Sequence, residues 1–150
     1  MAKTMVDTLV FKPWQSVGVF KFDDDIANYQ NELADWVFEP IDEYGLEHYH
    51  LNDDSRMISI RHGKIGSIFC YETLIYQGVN LIGLTIDEFK NITQSDYVGT
   101  PEEIDFEDDG YPQVIYNFDD IGARVWVKKG KIVTIIVAGK DSYSDEPADD

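Results

Sequence analysis

The chain has 150 residues and a mass of 17.2 kDa, with 29 Asp+Glu against 12 Lys+Arg, a net charge of −17 and a pI near 4.3. A hydrophobic fraction of 43% and an aromatic fraction of 13% exclude a disordered acidic chain, which lacks the apolar side chains needed to offset ordering entropy. The charge excludes non-specific nucleic-acid binding, where Lys and Arg must replace counterions at phosphates, and it favours encounter with basic proteins.

The elements follow in chain order. The N-terminus carries no apolar run of signal-peptide length, and no stretch approaches 18 consecutive apolar residues. Cys70 is the single cysteine. The expected location is therefore the reducing cytoplasm, without membrane contact. Residues 8–11 and 17–20 are expected strands. Asp24 or Asp25 can cap a helix on which Ile26, Tyr29, Leu33 and Trp36 or Val37 recur at helical spacing, with Pro40 as its stop. Met57–Ile60 and Lys64–Cys70 flank a turn at Arg61-His62-Gly63, and Cys70 reads as a small core residue. Thr85 and Glu88 form a capping box for a second helix with an apolar face of Ile86, Phe89 and Ile92; Pro101 and the acids after it end that region. Gln113–Phe118, Ala123–Val127 and Lys131–Val137 make a meander whose last turn is Lys128-Lys129-Gly130. Residues 141–150 read as a flexible acidic tail.

The two halves resemble one another. Residues 49–68 (YHLNDDSRMISIRHGKIGSI) align without gaps with residues 116–135 (YNFDDIGARVWVKKGKIVTI), matching Gly63 to Gly130 and Lys64 to Lys131. Upstream, Gly18-Val19 matches Gly78-Val79, Ile26 matches Ile86 and Tyr29 matches Phe89. The expected fold class is α+β: a largely antiparallel sheet with two short helices, built as two pseudo-repeats of strand, helix and hairpin. These repeats span about residues 8–70 and 71–140 of a single domain covering 1–140.

No G-x-S-x-G, H-E-x-x-H or P-loop motif is present. His48 and His50 would share a strand face and could chelate a metal, but no Cys is near and Glu47 or Asp53 would have to supply further ligands. Asp105, Glu107, Asp109 and Gly110 resemble the front of a calcium loop, yet Tyr116 stands where the bidentate Glu is needed. No metal and no cofactor are expected. The distinctive feature is acid density: six of the eight residues 102–109 are acidic, and Asp23, Asp24 and Asp25 form a second cluster. The Gly-Lys hairpins around Lys64 and Lys131 are locally basic. A docking surface of Asp105, Glu107, Asp108 and Asp109, with Asp23, Asp24 and Asp25 and the anchors Phe106 and Tyr111, would pair with Lys and Arg of a partner.

In size, charge and expected architecture the chain resembles the immunity proteins of bacterial polymorphic and contact-dependent toxin systems. Residues 83–90 (GLTIDEFK), followed by Gly99-Thr100-Pro101, are also similar to the repeat of β-lactamase inhibitory protein; the first half departs from it, with Asp23 in place of Gly83 and no G-x-P. Both resemblances imply a non-catalytic proteinaceous inhibitor. The partner they imply is a basic protein toxin with a nuclease domain, neutralised through the acidic surface. Two alternatives remain open: a small-ligand site or small enzyme with a cleft between the repeats, using Tyr49, His48 and His50, and an acidic adaptor whose charge serves solubility.

Overall fold

A computed structural model describes residues 10–39, 47–50, 56–106 and 111–139. Three two-residue strands, β1 (Phe11–Lys12), β2 (Ser16–Val17) and β3 (Phe20–Lys21), form a small antiparallel sheet. A single 3-10 turn (Ile26–Tyr29) leads to β4 (Val37–Glu39), β5 (Glu47–His50), β6 (Arg56–Arg61) and β7 (Lys64–Cys70). The second half begins with the ribbon β8 (Ile75–Tyr76) and β9 (Val79–Asn80) and the helix α1 (Ile86–Thr93). It ends with β10 (Val98–Phe106), β11 (Tyr111–Phe118), β12 (Ala123–Lys128) and β13 (Lys131–Ala138).

Eight of these strands make one antiparallel sheet in the order β10-β11-β12-β13-β7-β6-β5-β4. Each half supplies a four-stranded meander, and the two meanders join where β7 pairs with β13. The hairpins β6–β7 and β12–β13 turn through two residues that both have positive φ, His62 and Gly63 in one and Lys129 and Gly130 in the other. That geometry is the type I′ turn, whose twist matches the flanking strands. Each hairpin also carries one bulged residue, Gly66 opposite Ser59/Ile60 and Val133 opposite Trp126/Val127.

Side chains alternate between the two faces of a strand. One face carries Ile58, Ile60, Ile65, Ile68 and Cys70 from the first meander and Val125, Val127, Ile132, Ile135 and Val137 from the second, all buried. Phe11, Val17, Phe20, Leu33, Leu74, Leu81 and Phe89 pack onto them in one cluster that draws on both halves. Phe89 is the main contribution of α1: it is fully buried, with its ring 4.7 Å from that of Phe118. The capping box is made as the sequence suggested, with Glu88 N donating to Thr85 Oγ1 and Thr85 N donating to Glu88 Oε1.

The expected α+β class is overturned. Among the described residues 54% are strand and 11% helical, with one α-helix. The expected strand-helix-hairpin unit is replaced by a four-stranded meander, and the described residues of the first half form no α-helix. Asn28, Asn31 and Asp35 are poor helix formers that compete for backbone hydrogen bonds, and Asp25 makes no side-chain cap. The chain there is held instead by Ile26 N donating to Gly63 O at 2.9 Å. Glu102, Glu103 and Asp105, expected only to follow the end of the helical region, belong to β10, the edge strand. Charges and proline are what an edge strand carries to avoid pairing with another sheet.

Two glycines separate backbone strain from crowding. Gly78 has φ +83° with open space around its missing Cβ, whereas at Gly122 (φ +65°) a Cβ would lie 2.7 Å from Trp14 Cζ3 and 3.0 Å from Ala138 O. Gly78→Ala should cost about 1–2 kcal/mol, and Gly122→Ala should lower the thermal midpoint further. Paired thermal melts check the order.

Candidate functional site

The expected acidic surface is divided by the fold. Asp23 N donates to Ile65 O, Ile65 N donates to Asp24 O, and Asp25 bridges Lys64, so this cluster sits at the β6–β7 turn. Asp105 and Phe106 are placed at the end of β10, opposite Pro112 and Tyr111, next to the strand end that pairs Gln113 with Lys128. Glu107, Asp108 and Asp109 lie outside the described residues. Because Ala138 pairs with Ser67 in the antiparallel β13–β7 pair, the two turns are at opposite ends of the sheet. Eight residues of β13 separate them by about 25 Å, well beyond the screening length of roughly 8 Å. Asp105 and the cluster at 23–25 therefore cannot act as one patch.

The cluster at 23–25 also has an internal task. Asp24 accepts from Tyr29 Oη (2.8 Å), Asn28 Nδ2 (3.1 Å) and Asp25 N (2.9 Å). The Tyr29 hydroxyl, foremost among these, holds the Asp24 carboxyl below its ordinary value of 3.8. Asp23 packs against Gly139, where an added Cβ would meet its carboxylate at 2.5 Å. Tyr111 is exposed, and the Lys129 amine sits 3.7 Å above its ring, a cation–π contact within the chain.

The other candidates are scattered. His48 and His50 share a sheet face as expected, but Tyr49 points to the opposite one, its ring tilted against that of Phe38 with centroids 4.9 Å apart. His50 Nε2 meets Glu39 Oε2 at 3.2 Å. Tyr116 packs edge-on against Tyr97 at 4.8 Å. Among the described residues no three His, Cys, Asp or Glu side chains are grouped to hold a metal ion. Cys70 is fully buried, and burial pushes its thiol up to about 12 against the opposing pull of Arg56. No helix among the described residues is long and apolar enough to cross a membrane.

The fold brings forward a surface that composition concealed. On the sheet face turned away from the core, one row of paired residues crosses all eight strands: Val37, His50, Met57, Phe69, Ile136, Arg124, Asn117 and Val98. A parallel row on the second meander runs Glu102, Ile115, Trp126 and Thr134. None of these residues belongs to the core cluster; most are half-buried, and Ile115 is buried. Arg61, Lys64, Arg124, Lys128 and Lys131 all fall on this face, against Glu39 and Glu102. The signal was present in residues 124–128, where Arg, Trp and Lys alternate with buried valines.

No protein-family model matches the chain, and no curated protein matches it. Among solved structures, a cysteine-rich secretory protein of Staphylococcus aureus is similar in fold, with a TM-score of 0.53 and 19% identity. The match covers 89% of this chain and 48% of that one, so the chain spans about half the length of its structural neighbour. At that identity the likeness is one of fold alone.

Two predictions follow from these environments. The folded-state acidity of Asp24 is raised relative to the unfolded chain, so its stabilisation is present above the unfolded value and lost as pH falls through the folded one. Asp24→Asn should lower the urea midpoint at pH 7 and change it much less at pH 3. Cys70 should resist a thiol reagent in the native protein and react at the rate of a free thiol in urea, because thiolate is the reacting form.

Proposed function

We propose that the chain is a non-catalytic binding protein of the immunity or inhibitor kind, and that it meets its partner through the sheet face turned away from the core. The observation that supports this is the band of Met57, Phe69, Ile136 and Trp126 with Arg124 and Lys128 on a broad antiparallel sheet. Aromatic and Arg side chains at the centre of a contact supply most of its energy, and polar or charged residues form its rim. The partner is a basic protein that presents carboxylates to Arg124 and Lys128. The net charge of −17 speeds encounter with such a protein. A nuclease domain fits this description, since its metal-holding acids lie within a cleft that is basic for phosphate binding. In this reading the acids on β10 and at Asp23–Asp25 steer and the sheet face holds.

A photo-crosslinking amino acid placed at Thr134, compared with one at Glu103 on the edge strand, tests the assignment in the native host. Position 134 should capture one basic protein, identified by mass spectrometry. Against that purified protein, Trp126→Ala and Arg124→Glu should each weaken affinity at least about tenfold, while the pair Glu102→Lys and Glu103→Lys should mainly slow association. Capture from position 103 alone, with affinity indifferent to Trp126→Ala, would return the contact to the acidic edge and overturn the proposal.

A further inference from the structure

A cleft of about 450 Å³ opens at one corner of the same face, lined by Glu39, His50, Arg56, Met57 and Tyr71. Its volume lies in the range of small-ligand sites, roughly 300–1,000 Å³. The strand register decides which of its charges meets a ligand. Glu39 pairs with His48, His50 with Met57 and Met57 with Phe69, so Glu39, His50, Met57 and Phe69 share the displayed face. Tyr71 stands two residues beyond Phe69, with the two rings 6.5 Å apart. Arg56 pairs with Cys70 and belongs to the core face. Its guanidinium carbon lies 5.6 Å from the centroid of the Trp36 ring, which packs edge-on against buried Phe20, and its charge reaches the Cys70 thiol. The positive charge at this corner is thus held on the core side, and the charge presented on the displayed face is the Glu39 carboxylate. That carboxylate is half-exposed, and its Oε2 meets His50 Nε2 at 3.2 Å. A neutral imidazole can donate one hydrogen bond there, which orients the carboxylate and leaves its negative charge in place. Met57 and Tyr71, with Phe69 beside them, supply a thioether and aromatic wall. A carboxylate next to such a wall matches a lysine-type group, whose methylenes lie along apolar surface while the ammonium stays at a polar margin. Aromatic rings add attraction for the positive charge.

We infer that this cleft binds an alkylammonium group, the ammonium on Glu39 and its apolar stem along Met57 and Tyr71. Two sources share that chemistry: a free amine and the side chain of a lysine in a polypeptide. The inference goes beyond the docking of a partner and does not depend on it; loss of crosslinking at Thr134 with ammonium binding intact would remove the docking reading alone.

The test uses the full chain labelled with ¹³C-methyl methionine, in which the Met57 methyl reports on the cleft. The probes are N-acetyl-lysine methylamide, its uncharged norleucine analogue, and pentylamine, each at about 0.15 M salt to screen the field of the whole chain. The lysine probe should move the Met57 resonance saturably and bind about tenfold more tightly than the norleucine probe, the difference expected for one charge-assisted contact. Glu39→Gln, which alters the net charge of −17 by a single unit, should make the two probes equal, and Glu39→Asp should keep part of the difference. Tyr71→Ala, which leaves Glu39 in place, should weaken both probes alike, so the inference stays testable if Glu39→Gln loosens the edge strand. Tighter binding of the lysine probe than of pentylamine supports a polypeptide side chain, and the reverse supports a free amine. No shift of Met57 at millimolar lysine probe, equal binding of the lysine and norleucine probes by the unaltered protein, or a lysine preference that survives Glu39→Gln in full, overturns the inference.

Discussion

Everything in this molecule depends on the pairing of β7 with β13. Each four-stranded meander alone would present an open edge at its most apolar strand, and such an edge invites uncontrolled pairing. Joining Ile68 to Val137 and Cys70 to Ile135 closes both edges at once and brings the two buried faces into a single continuous floor. On that floor the N-terminal strands, the 3-10 turn, the β8–β9 ribbon and α1 find a common core. The outer edges that remain, β4 and β10, are respectively short and strongly acidic. The choice of which strands meet in the middle therefore also decides which face is covered and which is left to display Phe69, Ile136 and Trp126.

The distribution of charge resolves an apparent conflict. A protein of net charge −17 carries on its displayed sheet face mostly cations among the described residues. Acids are placed where the fold needs them: Asp24 clasps the turn through Tyr29, Asp23 seals against Gly139, Glu88 caps α1, and Glu102 and Glu103 guard the edge. Cations cluster at the hairpins because the residues flanking a type I′ turn point outward in pairs, Arg61 with Lys64 and Lys128 with Lys131. Net charge governs the field at a distance, while the local face governs contact, and the two have opposite sign here.

What could be read from the sequence was what short-range chemistry dictates. The two central hairpins announced themselves through alternation and a glycine, and α1 through Thr85 and Glu88. Buried Cys70 followed from its apolar neighbours. The failures have equally physical causes. Helical spacing at Ile26, Tyr29 and Leu33 recorded residues that do face the core, but Asn28, Asn31 and Asp35 withheld the backbone propensity that an isolated turn needs. The acids of β10 hid a nine-residue strand, because an edge is the one place where a strand need not look like one. The separation of the two acidic clusters could not be seen at all, since it depends on β7 meeting β13, a contact between distant segments with no local signature. The row from His50 through Phe69 to Arg124 was hidden for the same reason, although each of its members already sat at an outward position of its own strand.

The register at that central contact has a further meaning. When Tyr49 is matched to Tyr116, Phe69 corresponds to Ile136, Ile68 to Ile135 and Cys70 to Val137. The observed pairs are Phe69 with Ile136, Ile68 with Val137 and Cys70 with Ile135. Each position thus meets the counterpart that a two-fold axis between Phe69 and Ile136 would assign to it, as in an isologous interface between two identical subunits. In its sheet the chain is a homodimer written as one polypeptide. Covalent linkage frees the two halves from having to be alike: one carries a capped helix at Ile86–Thr93, and the other carries at the matching place a turn clasped by Asp24 and Tyr29.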